Sequence, residues 1–290
     1  MDTILSLATI GAALRLAIPV ALAALGAVIS ERSGVLNLGL EGMMISGALA
    51  AYSAAEATGS PWIGLLAGTI VGVLAGAVLV AFVVFGCANQ IVTGIAITLL
   101  AGFLTTYLFQ RNYSIGQVPP RLNRIGLTAL ILLTVVLLAL VWFLLERTMF
   151  GLALGAVGEA PDAADALGYG VNRIRSVATL IGGGFAGLGG AALVCGPLGL
   201  FIENVTGGRG WVALALVVFA GWKPFPAVAG AFLFGLSDAV QLRLQGTNSA
   251  IPYEFFLALP YLLTLVALVL RARASRTPAA LGIPFVRGAT

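Results

Sequence analysis

Apolar residues run along this chain in blocks of helical length, separated by short polar patches, from one end to the other. The runs fall at roughly residues 4–29, 34–52, 61–85, 91–109, 127–145, 176–194, 211–221, 226–242 and 255–270. Most are long enough to cross a hydrocarbon core of about 30 Å as a helix. Glycine and other small residues recur closely within them, where a membrane barrel would show alternation with period two. The pattern predicts an all-α polytopic membrane protein with about nine transmembrane helices, some short or broken. Runs 211–221 and 226–242 flank Trp222-Lys223-Pro224-Phe225-Pro226 and read as a broken pair whose irregular backbone must be buried in protein.

One polar island interrupts the pattern. Residues 146–175 hold four of the eleven acidic residues and three of the fifteen basic ones. Within the island Pro161 suits a first helical turn, Asp162 and Asp165 suit the positive end of a helix, and Gly168 suits the position past its C-terminus. The segment therefore predicts a two-turn helix. So short a helix is marginal in water and needs a surface to pack on, and Ala163, Ala164, Ala166 and Leu167 give it a small apolar face. Two readings stand side by side: a docking surface for another protein, or an ordinary interhelical loop.

Hydrophobic residues make up 60% of the chain, charged residues 9%, and the mean hydropathy is +1.07, which excludes a soluble domain. Residues 1–290 read as one transmembrane domain, so any catalytic or ligand-delivering domain has to come from another chain. The first apolar run lacks a basic start and a small-residue cleavage site, and reads as a retained span. The net charge of +4 does not imply nucleic acid, because the bases sit at span ends, where they orient the chain and meet lipid headgroups. If the island is cytoplasmic, Arg32, Arg147, Arg173, Arg175, Lys223, Arg271, Arg273, Arg276 and Arg287 are inside. Arg111, Arg121, Arg124, Arg209 and Arg243 are then outside, with Arg15 within a span. This orientation is the favoured one, and it leaves residues 271–290 as a short basic cytoplasmic tail.

An ionisable group within a span costs roughly 2.5–3.5 kcal/mol on insertion scales and asks for a partner or a function. Glu41 lies in such a run, and on a helix it shares a face with Asn37. That face could line a polar path, or Glu41 could be tied to Arg15 or Arg32. Asn89, Gln90 and Thr93 form a second cluster, whose amides and hydroxyl suit a neutral polar solute such as a sugar or nucleoside. Asn89 equally suits a helix cap. Asn204, Thr206 and Arg209 precede Trp211 in an outward loop, with Arg209 a candidate contact for an outer partner and Trp211 an interfacial anchor. Asp238 has Arg243 five positions on, as a structural partner.

The chain has no histidine, and Cys87 and Cys195 stand apart, so no catalytic residue, metal site or cofactor is expected. GGGFAGLGG at 182–190 lies inside an apolar run with no preceding strand, and reads as a close-packing helix face instead of a nucleotide loop. If ATP drives this protein, another subunit binds it.

Five blocks in order carry a family resemblance: ERSGVLNLGLEGMM (31–44), NQIVTGIAITLL (89–100), AVGEAPDAADALGYGV (156–171), NVTGGRGWVALALVVFAGW (204–222) and LPYLLTLVAL (259–268). The chain resembles the inner-membrane permease subunits of ABC importers for nucleosides and simple sugars, related to the ribose and branched-chain amino acid permeases. The resemblance implies an importer of the bacterial inner membrane in which an extracytoplasmic binding protein delivers the solute. Two permease subunits would form the path, and a separate ATPase would bind ATP and power it. It also implies that Gly158, Glu159, Pro161, Ala164 and Gly168 form a coupling helix, and that the second permease is a longer relative or a second copy of this chain. Ala220 departs from the glycine usual at its position. The rival reading is an ATP-independent carrier or channel; a membrane-embedded enzyme lacks an acid-base set.

Overall fold

The computed structural model describes residues 7–113, 119–245 and 277–288, together with Leu262. Ten α-helices follow in chain order: α1 (Leu7–Arg32), α2 (Leu40–Thr58), α3 (Pro61–Val80), α4 (Gln90–Asn112), α5 (Leu127–Arg147), α6 (Met149–Glu159), α7 (Pro161–Ala166), α8 (Val171–Leu193), α9 (Arg209–Ala220) and α10 (Pro224–Gln245). No strand occurs among the described residues. π-helical turns at Ala81–Phe85 and Val194–Leu198 extend α3 and α8.

Six of these segments are long and apolar enough to cross a membrane: Ala8–Arg32, Pro61–Phe85, Gln90–Asn112, Leu127–Arg147, Val171–Leu198 and Pro224–Arg243. The expected nine crossings are therefore not reached among the described residues. The run 255–270 lies outside them, apart from Leu262. The run 34–52 becomes α2, which starts only at Leu40 and is buried along most of its length. Its glutamates and small residues suit a helix enclosed by others better than one facing lipid.

The expected broken pair is one half-helix and one full helix. α9 has 12 residues, about 18 Å, whereas α10 has 22 and is long enough to cross. Gly221 and Trp222 both adopt left-handed backbone, with φ 61° and 56°, and stop α9. Pro224 then opens α10, where its missing N–H costs nothing.

The glycine-rich stretch of α8 is the centre of the bundle. It meets α1, α2 and α3 on successive faces, so close that a Cβ added to Gly187 would lie 2.2 Å from the Gly68 carbonyl oxygen. One added to Gly190 would lie 1.9 Å from that of Met44. Backbone-to-backbone packing of this kind is what holds helices together where lipid removes the hydrophobic drive. α4 and α5 lie at the edge and expose Leu100, Phe103, Leu132, Val136 and Leu140.

The island sits at one end of the bundle with the C-terminal ends of α1 and α5, where Arg32 pairs with Glu146 at 3.1 Å. Trp222 brings the start of α10 to the same end by donating its indole N–H to Glu31 at 2.7 Å. Arg147, Arg173, Arg175, Lys223 and Arg287 thus share a basic end with Arg32, while Arg111, Arg121 and Arg124 lie toward the opposite one.

Candidate functional site

After α8 the chain turns back into the bundle through residues 199–208, helped by left-handed backbone at Asn204, Gly207 and Gly208. α9 therefore begins at depth, with its first amides in need of acceptors. Glu41, in the first turn of α2, supplies them. One carboxylate oxygen accepts from the Thr206 hydroxyl at 2.5 Å and the Gly208 amide at 3.0 Å, and the other accepts from the Gly210 amide at 2.5 Å. A carboxylate at a helix N-terminus is stabilised by the dipole and by these bonds, which offset the cost of burying it. Gly210 makes the approach possible, since a Cβ there would lie 2.6 Å from the Glu41 Cα. Of the partners expected for Glu41, Arg32 is paired to Glu146 instead, and Glu41 is held by neutral donors.

Beside this junction opens a cavity of about 420 Å³ between α2, α4 and the start of α9. Glu41, Thr98, Phe103, Thr106, Asn204 and Trp211 are among its walls. A carboxylate, an amide and two hydroxyls can hydrogen-bond hydroxyl and amino groups, and two aromatic faces can cover a flat ring. Thr98, Gly102 and Thr106 recur every fourth residue on one face of α4, a polar stripe in an apolar run that was legible in the sequence and overlooked.

The five residues expected to line a path do not converge. Glu41 alone among them lines this cavity. Asn37 and Gln90 are buried together around the irregular segment before α2: Gln90 accepts from the Leu36 amide at 2.7 Å, and Asn37 donates to the Met43 sulfur at 3.6 Å. Asn89 is exposed and caps α4, accepting from the Ile91 and Val92 amides at 3.0 and 3.1 Å. Thr93 is half-buried one turn further on. Asn204 is exposed and also lines the cavity, together with Trp211. Arg209 is turned to Asp238 at 3.3 Å and to the Thr206 carbonyl at 3.2 Å, so the ion pair of Asp238 runs to α9.

At the basic end, α7 is the short helix that Pro161 and Gly168 predict, the latter with φ +90°. Gly158 lies against the end of α1, where a Cβ would come 2.1 Å from the Arg32 carbonyl oxygen. Ala164 does not face outward as expected; it is buried against Val157 and Val171, with Phe285 beside them. The outward face consists of Ala163, Ala166 and Leu167, the last 78% exposed. Of the expected basic tail, Arg271, Arg273 and Arg276 lie outside the described residues, and residues 277–288 bind back onto the island. Ala280 donates to the Gly158 carbonyl at 2.9 Å, Ala279 to Glu159 at 3.4 Å, and Arg287 to Asp165 at 2.8 Å. Buried Arg175 joins Ser33 to Ile283 through their carbonyls, at 3.2 and 2.9 Å. A groove of about 400 Å³ remains open between α5 and α6, lined by Arg32, Glu146, Thr148, Leu152, Gly155 and Glu159 among others.

The family model for the permease component of branched-chain amino acid transport systems matches residues 9–268. The chain is 41% identical to the Haloferax volcanii protein TsgC13, named for glucose ABC transport, over 79% of this chain and 75% of that protein. It is 33% identical to the guanosine ABC transporter permease protein NupQ of Bacillus subtilis, over 94% of each. A solved structure of a metal-chelate type ABC transporter in an inward-facing conformation superposes with a TM-score of 0.55 at 18% identity, covering 90% of this chain and 84% of that one, and so shares the fold. By the match of most of its length and by these relatives, the chain belongs to the family of permease components of branched-chain amino acid transport systems.

Proposed function

We propose that this permease forms the translocation path of an ATP-driven importer for nucleosides or simple sugars in the bacterial inner membrane. The cavity beside Glu41 carries the reading: its carboxylate, amide, hydroxyls and aromatic faces match a hydroxylated solute with a ring. The names of the relatives, guanosine for one and glucose for another, point to the same solute class.

An ATPase subunit docks at the basic end, on the outward face of α7 and the groove between α5 and α6. Gly158, Glu159, Pro161, Ala164 and Gly168 shape that surface, Gly158 and Ala164 from within. ATP is bound by that partner, and this chain carries no cofactor of its own. A second permease, longer than this chain or a second copy of it, closes the path along α4. An extracytoplasmic binding protein delivers solute from the opposite end, toward Asn204 and Arg209. Asn37, Gln90 and Thr93 support the path by setting the segment before α2 and the first turns of α4, and Asn89 acts by capping α4.

α9 is the mechanical link. Its start is bonded to Glu41 at the cavity, and the residue that ends it, Trp222, is bonded to Glu31 at the basic end. Movement of the basic end on ATP binding reaches the cavity through one rigid half-helix, and the path opens to one side at a time. The test is uptake of labelled guanosine, ribose and glucose into liposomes holding the assembled complex. Uptake that needs both ATP and the binding protein supports the proposal; uptake by the permease alone means a carrier or channel.

A further inference from the structure

A second cavity, of about 230 Å³, opens at the end opposite the island, between α1, the start of α5 and the π-helical turn after α8. Arg15, Arg124, Gly126, Leu127, Gly196 and Pro197 are among its walls. Two features of these walls favour an anion, and a third holds the walls in place.

First, the charges are unmatched. Among the described residues the ion pairs are Arg32–Glu146, Arg209–Asp238 and Arg287–Asp165, and neither Arg15 nor Arg124 takes part. Arg15 and Arg124 are both exposed, Arg15 within the apolar first half of the transmembrane helix α1, and an arginine on such a surface is expensive unless something answers its charge. Second, the 21-residue helix α5 points its N-terminus at the cavity. Its cap residue is Gly126, which makes no side-chain bond to the first amides, and its first turn holds no acidic residue. The positive end of that dipole is left for a ligand. Third, the walls are fixed. The loop before α5 is tied down by the Leu122 amide to the Gly199 carbonyl at 2.8 Å and the Ile125 amide to the Cys195 carbonyl at 2.9 Å. Arg124 lies against Gly199, where a Cβ would come 2.5 Å from its Nε, so in this position the arginine uses the space that glycine leaves.

We propose that this cleft binds a phosphate group, held by Arg15 and Arg124 and capped onto the N-terminus of α5. Guanidinium forks suit phosphate oxygens, and the free amides of a helix start complete the coordination. Below the cleft α5 exposes Leu132, Val135 and Val136, so the headgroup of an anionic phospholipid reaches it with its acyl chains on an apolar face. Free inorganic phosphate offers the same chemistry from the aqueous side.

The experiment uses the assembled complex, purified in a neutral detergent, with Arg15→Gln, Arg124→Gln and the double variant. Arg121→Gln, an exposed base outside the cavity, is the control. Phosphatidylglycerol and phosphatidylcholine retention is read by native mass spectrometry, and inorganic phosphate binding by the shift in melting temperature. Wild type should prefer phosphatidylglycerol, and each glutamine should weaken retention about fivefold, roughly the contribution of one basic residue at a membrane surface. Arg15→Lys should keep most of it. A phosphate-dependent melting shift that the double variant loses, without lipid preference, assigns the site to soluble phosphate. Equal binding of both probes by wild type and the double variant, or binding of neither probe by wild type, overturns the proposal.

Discussion

The amide of Gly210 donates to a carboxylate oxygen of Glu41 across 2.5 Å, joining the first turn of α9 to the first turn of α2. The half-helix thereby has an acceptor for its buried start, and the cavity has a carboxylate held in one orientation.

Replacing that carboxylate should separate charge from shape. Glu41→Gln keeps an acceptor for Thr206 and Gly208 but turns an amide donor toward Gly210, losing one charge-assisted bond worth about 1.5–3 kcal/mol. Glu41→Leu leaves two buried donors, the Thr206 hydroxyl and the Gly210 amide, unanswered at about 1–3 kcal/mol each, together with the half-buried Gly208 amide. The melting temperature of the purified complex should fall for both, and much further for leucine. A leucine variant that melts and transports like wild type would refute the capping role.

Two glycines near the junction should respond in opposite ways. Gly210→Ala forces a methyl against the Glu41 backbone and should cost about 1–3 kcal/mol of stability. Gly102 has nothing within 4 Å of an added Cβ and lines the cavity, so Gly102→Leu should leave melting unchanged and block uptake. Parallel melting and uptake measurements check both.

At the basic end, Leu167→Asp and Leu152→Asp change exposed side chains and should spare insertion and folding. Each should lower ATP-driven uptake by about tenfold, the effect of roughly 1.4 kcal/mol lost from a protein interface. A cysteine at position 167 should crosslink to the ATPase, whereas one at 164 should not, because Ala164 is buried. Capture from 164 and not from 167 would reverse the assignment of the docking face.

The two arginines that hold residues 277–288 should differ in weight. Arg287 is 79% exposed, so Arg287→Ala should cost less than about 1 kcal/mol. Arg175→Ala removes two bonds from a buried guanidinium and leaves both carbonyls short of a donor, so about 2 kcal/mol or more should be lost. Chemical melts of the two variants distinguish them.

Orientation is checked by thiol labelling of intact cells in a Cys87→Ala, Cys195→Ala background. A cysteine at Asn123, an exposed residue toward the end opposite the island, should react with an impermeant reagent, and one at exposed Lys223 should not. The reverse pattern would invert the topology.

Much of the architecture is local and was therefore legible in the amino-acid order. Helical spans follow from apolar runs of sufficient length, and the start and stop of α7 follow from Pro161 and the left-handed Gly168. The packing role of 182–190 follows from its six glycines, whose bare surface a neighbouring backbone can approach. Glu41 was recognisable as a buried charge needing partners, but not which partners, because they lie 165 to 169 residues away. Tertiary structure alone decided that the start of α9 meets Glu41, that Ala164 turns inward, and that residues 277–288 bind back onto Gly158 and Arg175. Each of these depends on which surfaces meet once the helices have packed. Local periodicity carries no record of such meetings, since hydrogen bonds and close contacts between distant segments are set by the bundle as a whole.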